Sequence, residues 1–157
     1  MKKIVLDQGM EAIVDDQDFD YINQWKWIAF KNRYHYYAVR RIYQKGNKSK
    51  RILMHRVILD NPRHIDHINR NGLDNRRSNL RPVECGQNQM NQVKTRTHTS
   101  IYKGVCWLSR TSKWRSSIGF KNKSYHIGYY KSELDAAKAY DKKAAELFGE
   151  FACLNFS

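Results

Sequence analysis

Along the first sixty residues the apolar positions come in short alternating bursts rather than at helical spacing. "KIVLD" and "EAIVDD", on either side of Gly9, alternate about a turn and predict a hairpin. "DQDFDYINQWKW" opens with acidic capping residues and then spaces its apolar side chains as a short helix does. "WIAF", "YHYYAVRRIY" and "SKRILMHRVIL" are rich in β-branched and aromatic residues, with a turn at "KGNK", and predict strands, "MHRVIL" turning toward helix. Pro62 marks a break.

Residues 63 to 92 read differently: two short extended segments, "HIDHI" and "NLRPV", flank a long Asn/Gly stretch, and "ECGQNQMNQ" predicts a short helix from Glu84. Asparagine is a poor former of helix and strand interiors but tolerates left-handed turns, so Asn69, Asn71 and Asn75 read as loop residues. Residues 93 to 99 have no apolar period and no acid, and read as a basic linker. Beyond them "SIYKGVCWL", "KWRSSIGF" and "SYHIGYY" predict three strands, with turns at "SRTS" and "KNK". "SELDAAKAYDKKAAELFG" predicts a helix with Ser132 as N-cap, Glu133 and Asp135 in its first turn, and an apolar face of Leu134, Ala137, Tyr140, Ala144 and Leu147, ending at Gly149. The fold class is therefore α+β: a β-rich region over 1–92, then a three-stranded antiparallel sheet packed on one helix over 100–157.

Charge narrows the function. The chain of 157 residues carries a formal net charge of +14, which points to an anionic partner. Residues 21 to 59 hold ten Lys/Arg and no carboxylate, residues 85 to 132 hold nine and again none, and the first twenty residues are acidic. Solvated faces ordinarily mix both signs, so two such blocks favour nucleic acid. A hydrophobic content of 41% argues for a folded protein. No apolar run reaches the length of a membrane span, and the N-terminal stretch turns acidic before a signal-type core forms, so an intracellular protein with no membrane partner is expected. Cys85, Cys106 and Cys153 are odd in number and form no CxxC pair, which suits reduced thiols.

The two-residue strand period puts Trp114, Ser116 and Ile118 toward the helix and Lys113, Arg115, Ser117 and Gly119 on the open face. With Lys103 and Arg110 nearby, that face is a candidate for a DNA major groove, which a sheet of this width can enter. In the middle segment Asp66 and His67 are followed by Asn79 and then Asn88 at spacings that a hairpin folded over a helix can bring together. Phosphodiester hydrolysis needs a base to activate water, a group to orient that base, and positive charge for the phosphate oxygens. A neutral His serves as base near pH 7, and a carboxylate with an amide oxygen suits Mg²⁺.

"LMHRVIL…HIDHINRNGLDNRRSNLRPVECGQNQMNQ" resembles HNH nucleases of the phage and intron homing type, with His67, Asn79 and Asn88 at the signature positions of a ββα-metal unit spanning about 63–92. "YKGVCWLSRTSKWRSSIGF…YHIGYYKSELDAAKAYDKKAAELFGEFACLNF" is similar to the ethylene-response-factor (APETALA) DNA-binding domain. The first resemblance implies His67 as general base, Asn79 as an orienting and structural residue, and Asp66 with Asn88 as ligands of one Mg²⁺ or Mn²⁺ per site. His55 recurs in such nucleases and reads as support for the active-site loop. Arg76, Arg77 and Arg81 are candidates to clamp phosphate or to pair with Asp74 or Glu84.

The second resemblance departs where groove-reading arginines are expected, at Cys106, Leu108 and Gly119, so its sequence preference does not carry over. Docking on double-stranded DNA is assigned to Lys94, Arg96, Lys103, Arg110, Lys113, Arg115, Ser117, Lys121, Lys123 and His126. The expected activity is metal-dependent DNA endonuclease, site-preferring and nicking, with monomer and homodimer both open. The alternatives are a DNA-binding regulator with a degenerate nuclease unit, and a single-stranded RNA binder that stacks bases on its aromatics.

Overall fold

A computed structural model describes residues 1–32, 35–44, 48–84, 90–92, 99–121 and 123–156. The chain divides into two units, Met1–Glu84 and Cys85–Ser157.

In the first unit β1 (Lys2–Val5) and β2 (Glu11–Val14) form the expected antiparallel hairpin, with Ile4 opposite Ala12. Their alternation buries Ile4, Ala12 and Val14 and turns Lys3, Val5 and Glu11 outward. Helix α1 (Asp16–Ile22) carries Asp16 and Asp18 in its first turn, where carboxylates suit the positive end of the helix. It buries Ile22, whose carbonyl accepts a 2.8 Å hydrogen bond from the indole of Trp27.

Strands β3 (Ile28–Lys31), β4 (Tyr36–Gln44) and β5 (Lys48–Leu53) make an antiparallel sheet in that order. β5 passes directly into the short helix α2 (Met54–Ile58). Strands β6 (Ile65–His67) and β7 (Leu80–Pro82) form a second hairpin, pairing Ile65 with Pro82, Asp66 with Arg81 and His67 with Leu80. Ile65 and Leu80 join Ile4, Val14, Trp27, Ala38, Met54 and Ile58 in one apolar core, so the hairpin that bears the Asp-His pair rests on the whole unit. The helix expected from Glu84 falls largely on residues 85–89, outside the described residues, as do Asn88, Lys94 and Arg96.

In the second unit β8 (Val105–Leu108), β9 (Lys113–Phe120) and β10 (Lys123–Tyr130) form an antiparallel sheet with β9 central. Helix α3 (Glu133–Phe148) packs on it; the Ser132 hydroxyl accepts from the Asp135 amide at 3.4 Å, and Gly149 ends the helix at a φ of 53°. The buried row is Ala136, Tyr140, Ala144 and Phe148 together with Ala137, whereas Leu134 is 42% exposed. The expected apolar face is thus rotated. The strict four-residue ridge wins because small alanines between two large rings let the helix approach the sheet closely. At Gly104, with φ +76°, a Cβ would run into the Tyr140 ring and come within 2.7 Å of the Ser117 carbonyl oxygen, so the helix's Tyr140 ring packs directly on the backbone that leads into β8.

Asn155 closes the unit. Its Oδ1 accepts from the Lys103 amide at 2.7 Å, and its Nδ2 donates to Asp141 at 2.9 Å. Lys103, just before Gly104, and Asn155, near the end of the chain, are thereby joined. No helix among the described residues is long and apolar enough to cross a membrane.

Candidate active site

His67 ends β6 and is only 6% exposed. His55, from α2, stands edge-on to it with ring centroids 5.0 Å apart, and Tyr37, from β4, lies 5.9 Å from His67 and 6.0 Å from His55. Three elements, β4, α2 and β6, thus set one imidazole against two other rings. Burial lowers the pKa of His67, while the Asn75 side chain and the charges of Asp66 and Asp74 pull it back upward. His55 is pushed down to about 3, first by burial and then by its His67 and Arg56 neighbours. Both imidazoles are neutral at ordinary pH. Burial, and then the Asp66 charge, raises the Tyr37 phenol.

Asp66, 4% exposed, lies opposite Arg81 in the hairpin. Its Oδ2 accepts from Arg81 Nε at 3.0 Å and from Nη2 at 2.7 Å. The carboxylate assigned to a metal therefore already shares its charge with a guanidinium.

The asparagine-rich loop is tied down at each turn. Asn79 accepts from the Asn69 amide at 2.9 Å through Oδ1 and donates to the Asp74 carbonyl at 2.8 Å through Nδ2. These bonds close the loop into a ring, and the Asn79 amide acts on that ring rather than directly on the imidazole. Asn69 and Asn71 accept from amides two residues on, as Asx turns do. The loop also extends β2: Ile13 donates to Leu73 and accepts from Asn75, both at 2.8 Å. Gly72 presses on β4 so closely that a Cβ would collide with the Tyr36 carbonyl and meet the Tyr37 ring at 2.7 Å.

The three arginines considered as phosphate clamps each hold a carboxylate. Arg76 pairs with Asp74 at 2.6 Å, Arg77 with Asp18 at 2.8 Å and Arg81 with Asp66 at 2.7 Å. Arg77 also donates its backbone amide to Asp15 at 2.8 Å. The acidic N-terminal segment therefore fastens the loop to α1 through Arg77, while Arg76 takes the expected partner Asp74.

The structure brings Asp66, His67 and His55 together and puts Asn79 at the base of the loop. Asn75 was expected only to shape a turn, yet it is fully buried and acts on His67. Tyr37 joins the site through ring contacts with His55 and His67, which lie on later elements and which local spacing does not display.

In the second unit the open face of β9 exposes Lys113, Arg115 and Gly119, with Ser117 half-buried. Arg110, Lys121, Lys123 and His126 are exposed around it, and His126 packs on Tyr129 at 4.5 Å between ring centroids. Lys103 is a correction: its ammonium donates to the Met90 and Gln92 carbonyls at 2.9 and 2.6 Å, so it ties segment 90–92 down instead of facing outward.

No family model matches the chain. A protein of Acanthamoeba polyphaga mimivirus, described as an uncharacterized HNH endonuclease, is 29% identical over 152 residues, which are 94% of this chain and 76% of that protein. An APETALA2-like protein of Oryza sativa is 36% identical over 62 residues, 40% of this chain but 14% of the plant protein. Protein 3.8 of Escherichia phage T7 is 28% identical over 89 residues, 57% of this chain and 73% of the phage protein. Similarity to a nuclease-named protein thus runs along nearly the whole chain, and similarity to a plant transcription-factor family covers two-fifths of it.

Proposed function

We propose that this chain is a metal-dependent DNA endonuclease that hydrolyses phosphodiester bonds with His67 as general base. The observation that carries the proposal is a buried imidazole, kept neutral, on the hairpin beside Asp66 and backed by His55 and Tyr37. The nearly full-length similarity to a protein named as an HNH endonuclease supports the reaction class.

Neutral His67 takes a proton from water as that water attacks phosphorus. The bond from phosphorus to the 3′ oxygen breaks, and that oxygen leaves as a hydroxyl after taking a proton from solvent, giving a 5′-phosphate and a 3′-hydroxyl. His55 and Tyr37 fix the ring from two sides, and the loop closed by Asn79 keeps β6 and β7 in register. Asp66 supplies the carboxylate ligand for one hydrated Mg²⁺ or Mn²⁺, and the amide ligand expected at Asn88 lies outside the described residues. A carboxylate with an amide oxygen suits such a hard ion, and the ion when bound supplies positive charge for the phosphate oxygens. Arg81 shares Asp66 with it.

Lys113, Arg115, Ser117, Arg110, Lys121, Lys123 and His126 meet double-stranded DNA, while Lys94 and Arg96 follow its backbone. One base per chain makes a nick the default product, with a double-strand cut requiring two chains or two events. Similarity to a phage protein and a viral protein favours a mobile-element or phage setting.

A non-catalytic DNA-binding regulator is favoured by one contact, the Arg81 guanidinium on Asp66, which competes with a metal for that carboxylate. Supercoiled plasmid incubated with the protein and Mg²⁺ or Mn²⁺ separates the two. Conversion to the relaxed form supports the nuclease; retarded but uncut plasmid under both ions supports the regulator.

A further inference from the structure

A cleft of about 360 Å³ opens in the first unit where β4, β5 and α2 meet, lined by Tyr21, Arg40, Lys50, Arg51, Arg56 and Asp60 among others. Four cations face one carboxylate. Two of the cations are already ordered by aromatic rings: the Arg40 guanidinium lies 3.9 Å from the Trp25 ring centroid, and that of Arg51 lies 4.3 Å from Phe30. Stacking fixes the planar forks while leaving N–H groups directed elsewhere, and Arg40 Nε is buried with no hydrogen-bond partner among the described residues. Arg56 donates to the Arg63 carbonyl at 3.2 Å. Asp60 at the rim does not pair with these cations in any ion pair of the structure's described residues.

The contrast with the candidate active site is informative. There each of Arg76, Arg77 and Arg81 holds its own carboxylate; here Arg40 and Lys50 share one face of the β4–β5 pair beside Arg56 of α2, with no ion pair among the described residues, while Arg51 stacks on Phe30 from the other face. Uncompensated guanidinium and ammonium groups lining an open cleft suit the tetrahedral oxygens of a phosphodiester.

We propose that this cleft grips a backbone phosphate of duplex DNA other than the scissile one. The inference rests on the nuclease reading for its choice of partner and adds a second anchoring point to it. Helix α2 links the two places, because it gives His55 to the histidine pair and Arg56 to the cleft. A strand held at Arg56 is thereby held by the same short helix that backs the base.

The test is fluorescence anisotropy of a labelled mixed-sequence duplex over a salt titration, without divalent ions so that no cleavage is needed. Lys50→Gln combined with Arg56→Gln removes two cleft cations, one from β5 and one from α2. Lys26→Gln removes an exposed charge of the same unit outside the cleft, and Asp60→Asn removes the opposing charge. Asp60 has φ 57°, a conformation that Asn tolerates, so the last variant keeps the fold.

The double variant should bind roughly tenfold or more weakly, with the slope of log affinity against log salt reduced by about 1. Asp60→Asn should bind more tightly than wild type, a result that damage to the fold does not produce. A double variant within twofold of wild type, a loss matched by Lys26→Gln, or a wild type that does not bind duplex DNA overturns the proposal. A wild type that binds through the cleft but never cuts DNA sinks the nuclease assignment and leaves the cleft standing.

Discussion

Acidification should destabilise the Met1–Glu84 unit through His55. This side chain is 7% exposed, packs on His67 at 5.0 Å and has its pKa pushed down to about 3. In the unfolded chain an imidazole titrates near ~6.5. The folded value lies below the unfolded one, so the unfolded state takes up the proton first. The stabilising contribution is complete above ~6.5 and is lost as pH falls toward the folded value. From pH 6.5 to 4.5 the extra proton on the unfolded chain rises from about half to nearly one, which costs about 2.3 kcal/mol in all, the slope approaching about 1.4 kcal/mol per pH unit. His67 is shifted in the same direction and adds to the slope.

The assay is urea unfolding at a series of pH values, followed by hydrogen exchange in peptides covering β4 and α2 so that this unit is read by itself. His55→Phe keeps a ring against His67 and removes the titration. Its stability should fall with pH less steeply than that of wild type, by about 1.4 kcal/mol per unit. Equal slopes for the two proteins refute the argument that His55 is buried neutral.

Asn79→Ala removes the acceptor for Asn69 and the donor to Asp74, and should lower the stability of the first unit by about 1–3 kcal/mol in urea unfolding, with a parallel loss of any DNA cleavage. Gly104→Ala drives a methyl group into the Tyr140 ring at a φ of +76° and should destabilise the second unit by about 1–3 kcal/mol or more, read as a lower melting temperature. Arg81→Gln leaves Asp66 as a buried charge and should destabilise the first unit by about 3–5 kcal/mol. Mg²⁺ should then raise the melting temperature of this variant more than that of wild type, since the ion no longer shares the carboxylate.

Local patterns in the chain carried much of this fold. Alternation around Gly9 defined β1 and β2, aromatic and β-branched runs defined β3 to β5, and the Ser132 cap with its acidic first turn defined α3. The spacing of Asp66, His67 and Asn79 located the hairpin because both strands and the loop between them are contiguous. What lay hidden came from contacts between distant segments. Nothing near Arg77 announces that Asp15 and Asp18, some sixty residues earlier, will hold it. Nor does the loop sequence announce that residues 73–75 will lie along β2 or that Gly72 will press on Tyr37.

The same cause explains one role that is sharpened and one that is misplaced. Asn79 looked like a partner for the imidazole because it is polar and correctly spaced, yet loop closure engages its amide first. Lys103 looked like one more groove-facing cation until the chain brought two carbonyls to its ammonium. The rotation of α3 was invisible for a related reason: helix periodicity marks an apolar side, but the sheet decides which ridge of that side it accepts.

The central claim is that His67 performs the chemistry while DNA affinity resides elsewhere, and it is tested by measuring binding and cleavage side by side in wild type and His67→Ala. The account predicts that wild type nicks supercoiled plasmid with Mg²⁺ or Mn²⁺, and that the variant retains wild-type DNA affinity and its steep salt dependence while cleavage falls by at least roughly a hundredfold. A folded His67→Ala variant that cuts at the wild-type rate contradicts it.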